Sequence, residues 1–333
     1  MRVIIYGVGA IGGVVAAALA RAGHEVIGIA RGAQLAVLQS GPLQLRTPDG
    51  DVEAQVPCVA DPGKIAFRAD DLILLTMKTQ DCLDALQCLR LAGVRDQPLF
   101  CLQNGVSNEP MALRLFPNVH GVTVMMPAGF TDPGEVLCYG TPKLGLFDIG
   151  RFPGGSDDDD ARLAALFDSA QMRGFVHQDV MASKRGKLLV NLGNCLEAAV
   201  GRGADRGDFP ARARAEAEAV FRAAGLAWDD VGMDDPRRKA LMRMGDIPGA
   251  ARSGGSTTQS LLRGTGRVET DYLNGEIAYL GRLHGVQTPV NAFLTWLGAA
   301  MADARVAPGH VDAAGLAALF ADWCAGRKVA LSA

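Results

Sequence analysis

Three clusters of residues have types and spacings that chemistry can use. Gly7-Val8-Gly9-Ala10-Ile11-Gly12 is a G-x-G-x-x-G run that follows an apolar strand pattern and opens a helical one. In that setting the first glycine makes a tight turn, and the second lets backbone approach a pyrophosphate. The third lets helix and strand pack closely. The pyrophosphate would lie on the N–H groups of the helix N-terminus, so residues 7–12 read as a dinucleotide cradle; glycines kept for packing alone are the competing reading. The strand over residues 25–30 ends in Arg31 with no acid beside it. NAD-binding folds put Asp or Glu there for the ribose 2′-hydroxyl, whereas a guanidinium pairs with a 2′-phosphate, which favours NADPH over NADH. Thr76-Met77-Lys78 and Leu102-Gln103-Asn104-Gly105 end two further strands, where open α/β sheets bind ligands. Finally, Lys187 and Asn191 lie one helical turn apart, and Asn194 and Cys195 continue that face. The intervening residues are apolar, so the helix is expected to be largely buried, and a buried lysine and asparagine need a reason. A solvent-facing polar stripe is the alternative.

The elements that must position these residues follow from apolar periodicity. Residues 3–6, 25–30, 72–76 and 98–102 read as strands, and residues 11–22 and 81–90 as helices. Strands alternating with helices imply parallel pairing in a doubly wound sheet. From about Val122 short Gly- and Pro-punctuated strands take over, at residues 134–137 and 143–147. The acid run Asp157 to Asp160 reads as a solvated turn capping a helix that starts near Ala161, rather than as a metal site. Beyond Asp179 the pattern is helical, over residues 182–200, 211–224, 236–244, 270–284, 290–304 and 313–325. The fold class expected is α/β, an N-terminal Rossmann-type domain over residues 1–179 and an all-helical domain over residues 180–333.

Composition narrows the function classes. With 33 Lys and Arg against 36 Asp and Glu, no basic field exists to attract nucleic acid. The seven cysteines form no C-x-x-C pair and no zinc spacing, so reduced thiols and no metal are expected. The apolar start resembles a secretory signal, but Gly7, Gly9, Gly12 and Gly13 interrupt it. No segment reaches the roughly 18 apolar residues of a membrane span. A cytoplasmic protein that binds neither membrane nor nucleic acid is the expectation, with a homodimer as its assembly.

Taken together, the chain resembles the ketopantoate reductase family (2-dehydropantoate 2-reductases) nearly end to end. The match runs through Gly7–Gly12 with Arg31, Lys78, Gln103-Asn104-Gly105 and Pro133-Gly134. It continues with Lys187-Leu188-x-x-Asn191, Glu269-Thr270-Asp271-Tyr272-Leu273-Asn274-Gly275 and His284-Gly285-Val286-x-x-Pro289. The resemblance implies an NADP-dependent oxidoreductase acting on a CH–OH group, which reduces ketopantoate to pantoate for pantothenate and coenzyme A. Alternatives are reduction of another branched or aromatic 2-oxo acid, or NADPH binding without turnover.

By position, the resemblance makes Lys187 the catalytic proton donor and Asn191 a substrate-binding asparagine. It puts Asn104 between nicotinamide and substrate, Lys78 and Ala128 on the cofactor side, and Glu269 near the nicotinamide ribose and the lysine. The chemistry asks for these types: hydride delivery to a ketone leaves an alkoxide, which needs a cation able to give up a proton. The substrate carboxylate wants hydroxyl and amide donors, for which Ser256, Thr257 and Asn191 are candidates. Departures from the family pattern fall at Arg185-Gly186, where an aromatic usually precedes the lysine, and at Cys195, which takes the second asparagine's place among the substrate residues. Others fall at Thr257-Thr258-Gln259-Ser260 and at Asp205. Lys184, three residues before Lys187, is the side chain to be told apart from it.

Overall fold

Val3, Ile4 and Ile5 are buried, as is every residue of the strand Leu72–Leu75. Strands apolar on both faces belong in a parallel sheet covered on both sides. The computed structural model, which describes every residue except Thr131, Met233, Thr265, Ala330, Ser332 and Ala333, has such a sheet. Its eight strands run in the order Arg173–Val176, Leu146–Arg151, Val119–Met125, Leu99–Cys101, Leu72–Leu75, Arg2–Tyr6, Glu25–Ile29 and Cys58–Val59. Neighbours are parallel except where Leu146–Arg151 runs antiparallel to Val119–Met125. Strand order reverses at Arg2–Tyr6, with Glu25–Ile29 on one side and Leu72–Leu75 on the other. The carboxyl ends beside such a reversal form a ligand crevice. A smaller four-stranded sheet, containing Leu43–Thr47 and Glu135–Cys138, packs on the first helix, Ala10–Arg21. A Cβ at Gly13 of that helix would lie 2.6 Å from Val136 Cγ1, so the helix and this sheet touch at a bare backbone.

The chain forms two compact units. One comprises Met1–Lys184 with Asp230–Ala251, the other Arg185–Asp229 with Arg252–Ala333. The compact units divide after Lys184 rather than at 179/180; Lys184 is 2% exposed and bonds to Glu109, Cys101 and Gln103 of the first unit. The second difference is larger, because residues 230–251 leave the helical half. Within them Arg237 donates to Asp148 at 2.6 Å and to Asp235 at 2.8 Å, and Met242–Met244 pairs with Gly140–Pro142. Asp148 is fully buried, so an anionic carboxylate there requires that guanidinium. The helix expected over 236–244 therefore ends at Leu241 and continues as a strand.

The second unit is helical. Phe209–Ala223, Asn274–His284 and Pro289–Asp303 pack around Phe221, Phe293 and Ile277, which are fully buried. The expected helix over 182–200 is two, Val180–Asn191 and Asn194–Val200. At the break, the Leu192 carbonyl accepts from Asn274 Nδ2 at 3.2 Å. Asn274 also donates to Asn291, whose own amide donates to Glu216 and the Ala213 carbonyl. Such a buried polar chain fixes one arrangement of the helices that carry it. The acid run caps the helix Asp158–Ser169, with Asp157 accepting from the N–H groups of Asp159 and Asp160. Among the described residues, His120, Asp157 and Asp159 come close enough to share an ion. They are instead engaged by Asp160, Arg151 and Arg162 respectively. No described helix is long and apolar enough to cross a membrane.

Candidate active site

The three fingerprint glycines do different jobs, and the structure separates them. Gly7 has φ +106°, and a Cβ there would lie 2.8 Å from the Met77 nitrogen. A Cβ at Gly12 would lie 2.2 Å from the Gly7 carbonyl oxygen and 2.4 Å from Thr76 Oγ1. Both are glycine because protein occupies the space. Around Gly9 nothing lies within 4 Å of a Cβ and φ is −102°, so neither packing nor strain explains it. The space beside Gly9 is where a pyrophosphate would approach. No side chain caps the helix Ala10–Arg21 that begins there, which leaves its first N–H groups for an anion. The residues fit a dinucleotide.

Val8 is buried and contributes backbone only, while Ala10 and Ile11 are partly exposed at the helix start. Two residues hold this loop: Gln34, which carries no sequence signal, and Thr76, at one of the strand ends singled out from sequence. Gln34, 8% exposed, donates to the Val8 carbonyl at 3.0 Å and accepts from Gly134 N at 2.7 Å. Thr76 Oγ1 donates within reach of the Tyr6 and Gly7 carbonyls, at 3.0 and 2.7 Å.

These differences give a paired prediction. Gly12→Ala must displace backbone, an overpacking that costs about 1–3 kcal/mol, and should lower both the melting temperature and nucleotide affinity. Gly9→Ala should leave the melting temperature unchanged and still weaken binding. Thermal melts with a nucleotide titration read both, and equal destabilisation by the two would make Gly9 a packing glycine.

Arg31 follows the second strand, and its Nη2 donates to Asp81 Oδ2 at 2.8 Å. Lys78, half-buried, precedes the short turn Thr79–Asp81. Asn104 is half-buried beyond Leu99–Cys101, and Ala128 half-buried in the short strand Ala128–Gly129. Asn108, fully buried, links two of these loops: its Nδ2 lies 3.2 Å from both Thr79 Oγ1 and the Asn104 carbonyl. The structure thus collects Gly7, Arg31, Lys78 and Asn104 along the carboxyl edge of one sheet.

In the helical unit, Lys187 is half-buried and Asn191, one turn on, is 4% exposed. Among the described residues, Asn191 Nδ2 is buried without a hydrogen-bond partner. An unmet buried donor costs about 1–3 kcal/mol, which an acceptor on a ligand would recover. Cys195 does not continue this face as a ligand group. Its thiol donates to the Leu294 carbonyl at 3.2 Å and burial pushes it up to about 12, so it belongs to helix packing. Ser256 is half-buried, accepting from Asn194 Nδ2 at 3.2 Å, and Thr257 is buried. Thr258, named from sequence only as a departure from the family pattern, has a buried hydroxyl without a described partner. Glu269 is 8% exposed; burial holds the Arg263 guanidinium below its ordinary value, with Glu269 acting against that. Gly298 explains part of the motif after Glu269: a Cβ there would lie 2.4 Å from Thr270 Cγ2, so Thr270 packs onto bare helix backbone.

Two family models match the chain: "Ketopantoate reductase PanE/ApbA" over residues 3–154 and "Ketopantoate reductase PanE/ApbA C terminal" over residues 179–302. The 2-dehydropantoate 2-reductase of Pyrococcus horikoshii is 28% identical over 302 residues, covering 89% of this chain and 95% of its own. The crystal structure of a PanE/ApbA family ketopantoate reductase from Ralstonia eutropha is 29% identical, with a TM-score of 0.74, covering 92% and 99% of the two chains. D-mandelate dehydrogenase, solved with NADH and anilino(oxo)acetate, has the same fold at a TM-score of 0.76 and 24% identity, again over 92% and 99%.

Proposed function

Because the chain belongs to the ketopantoate reductase family, we propose that it reduces the 2-oxo acid ketopantoate to pantoate with NADPH. The observation that carries this reading is Asn191, whose buried amide donor lacks a described partner one turn beyond Lys187. The unit of Met1–Lys184 with Asp230–Ala251 supplies the nucleotide cradle, and the unit of Arg185–Asp229 with Arg252–Ala333 the acid and substrate groups. When bound, the nicotinamide supplies a hydride. The ketone oxygen then gains negative charge, and the Lys187 ammonium stabilises it and passes a proton to it, giving the alcohol. Glu269 orients that ammonium, Asn191 and Ser256 donate to the substrate carboxylate, and Asn104 and Lys78 hold the nicotinamide end. The seven free cysteines suit a reducing cytoplasm.

Consumption of NADPH with ketopantoate, compared by kcat/KM with other 2-oxo acids, tests this reading. A higher value for a branched or aromatic competitor would move the substrate assignment. Cys195 in place of the family's second asparagine favours that second reading, because its thiol is committed to the Leu294 carbonyl and offers no amide to the substrate. The cofactor half has its own check. Arg31→Ala removes a charge-assisted pair to the 2′-phosphate worth about 1.5–3 kcal/mol, or roughly ten- to a hundredfold in affinity. NADPH should weaken by that factor and NADH little. Equal losses for both would release Arg31 from the phosphate.

A further inference from the structure

Arg31 does not stand alone at the end of its strand. Ile29 pairs in parallel with Val59, and Arg31 and Asp61 each lie two residues beyond that pair, both close enough to act on Tyr6. Asp81 reaches the same place from the opposite flank, bonding the guanidinium at 2.8 Å while only 21% exposed itself. Its position is fixed by its own N–H, which donates to the Lys78 carbonyl at 2.9 Å. Tyr6, at the end of the strand between these flanks, feels the same charges. Burial, Cys88 and Asp61 push its hydroxyl up to about 12, and Arg31 opposes them. The cation assigned to the 2′-phosphate therefore shares its surroundings with two carboxylates.

We propose that Asp81 is a cofactor-selectivity residue, whose carboxylate competes for Arg31 and reduces the preference for NADPH over NADH. This rests on the reading of the glycine cradle as a nucleotide site. A 2′-phosphate carries close to two negative charges, and to pair with Arg31 it must displace Asp81 or share the guanidinium with it. Either way the phosphate meets a like charge. NADH brings only a hydroxyl, which a carboxylate can accept. NAD-binding folds set their acid at the end of the second strand; here that residue is Arg31, and Asp81 brings an acid to it from the turn after the strand Leu72–Leu75.

Equilibrium binding of NADPH and NADH to the full-length protein, without substrate, tests the proposal. Removing one charge a few ångströms from a phosphate near the surface is worth roughly three- to thirtyfold. Asp81→Asn should therefore tighten NADPH by about that factor and leave NADH no tighter, and added salt should shrink the gain. Asp81→Ser should act in the same direction, and a melt of each variant confirms that it folds. Weaker NADPH binding by both variants would overturn the proposal, since Asp81 would then be holding Arg31 in place for the phosphate. Parallel shifts of both nucleotides, or none, would overturn it too while leaving the cradle intact. Failure of the unaltered protein to bind either nucleotide would instead overturn the cradle reading beneath it.

Discussion

Lys187→Ala should lower kcat by roughly 10²–10⁴-fold, the usual contribution of a positioned general acid. The affinity for NADPH should change little, because the glycine cradle belongs to the other compact unit. The reduction of a ketone creates an alkoxide whose charge and proton demand appear together, and an ammonium meets both. Lys187→Arg separates them. A guanidinium keeps the charge but does not give up its proton at accessible pH. It should recover less activity than an electrostatic role alone would give. With Lys187 present, activity should fall at alkaline pH as the ammonium loses its proton; in the alanine variant that limb should vanish or move. An unchanged alkaline limb in Lys187→Ala would assign the acid to another group. Steady-state kinetics across pH with both variants decides this.

How much of this was legible beforehand depends on whether a residue's role is local. The fingerprint was legible because its demands are on backbone space, and glycine is the one residue type that meets them. The buried strands around it were legible for a similar reason, since apolar runs such as Leu72–Leu75 leave few alternatives. The hairpin Leu43–Thr47 and Gly50–Ala54 was not, because Gln44, Arg46, Asp51 and Glu53 dilute its alternation. The break after Asn191 depends on Asn274, 82 residues from the carbonyl it holds, and Gly193 alone is a weak signal for it. The return of residues 230–251 to the first unit rests on Arg237 finding Asp148, 89 residues away. Of the site, the cradle, Arg31, Lys187 and Asn191 could be read from type and spacing. Gln34, Asn108 and Thr258 could not, since an amide or hydroxyl on a helix reads as surface until burial is known. Asp81 was hidden too: an acid at a helix start reads as a favourable first-turn charge.

Lys184 is the residue for which sequence proximity misleads most, and its replacement should produce the largest loss of stability. From sequence it is merely the lysine to be distinguished from Lys187, and Lys184→Ala would serve as an inert control. In the structure it is 2% exposed, forms an ion pair with the fully buried Glu109, and donates to the carbonyls of Gln103 and Cys101 at 2.9 and 3.2 Å. Breaking a buried pair from one side strands the other charge and costs about 3–5 kcal/mol. Lys184→Met should therefore lower the unfolding free energy by that amount. The pH dependence identifies the cause. Burial pushes the Glu109 carboxyl above its ordinary value, and Lys184 pulls it back. A carboxyl raised in the folded state binds more protons there than in the unfolded chain, so it stabilises below its unfolded value and loses that contribution as pH rises. Without Lys184 the upward push is unopposed. The loss should be greatest at neutral pH and smaller toward the acid range where free carboxyls protonate. Lys184→Met combined with Glu109→Gln should recover part of it, because no charge is then left buried. Denaturant unfolding of the single and double variants at two pH values measures these terms. A single-variant loss that is independent of pH and untouched by Glu109→Gln would mean that Lys184 stabilises through the two carbonyls alone.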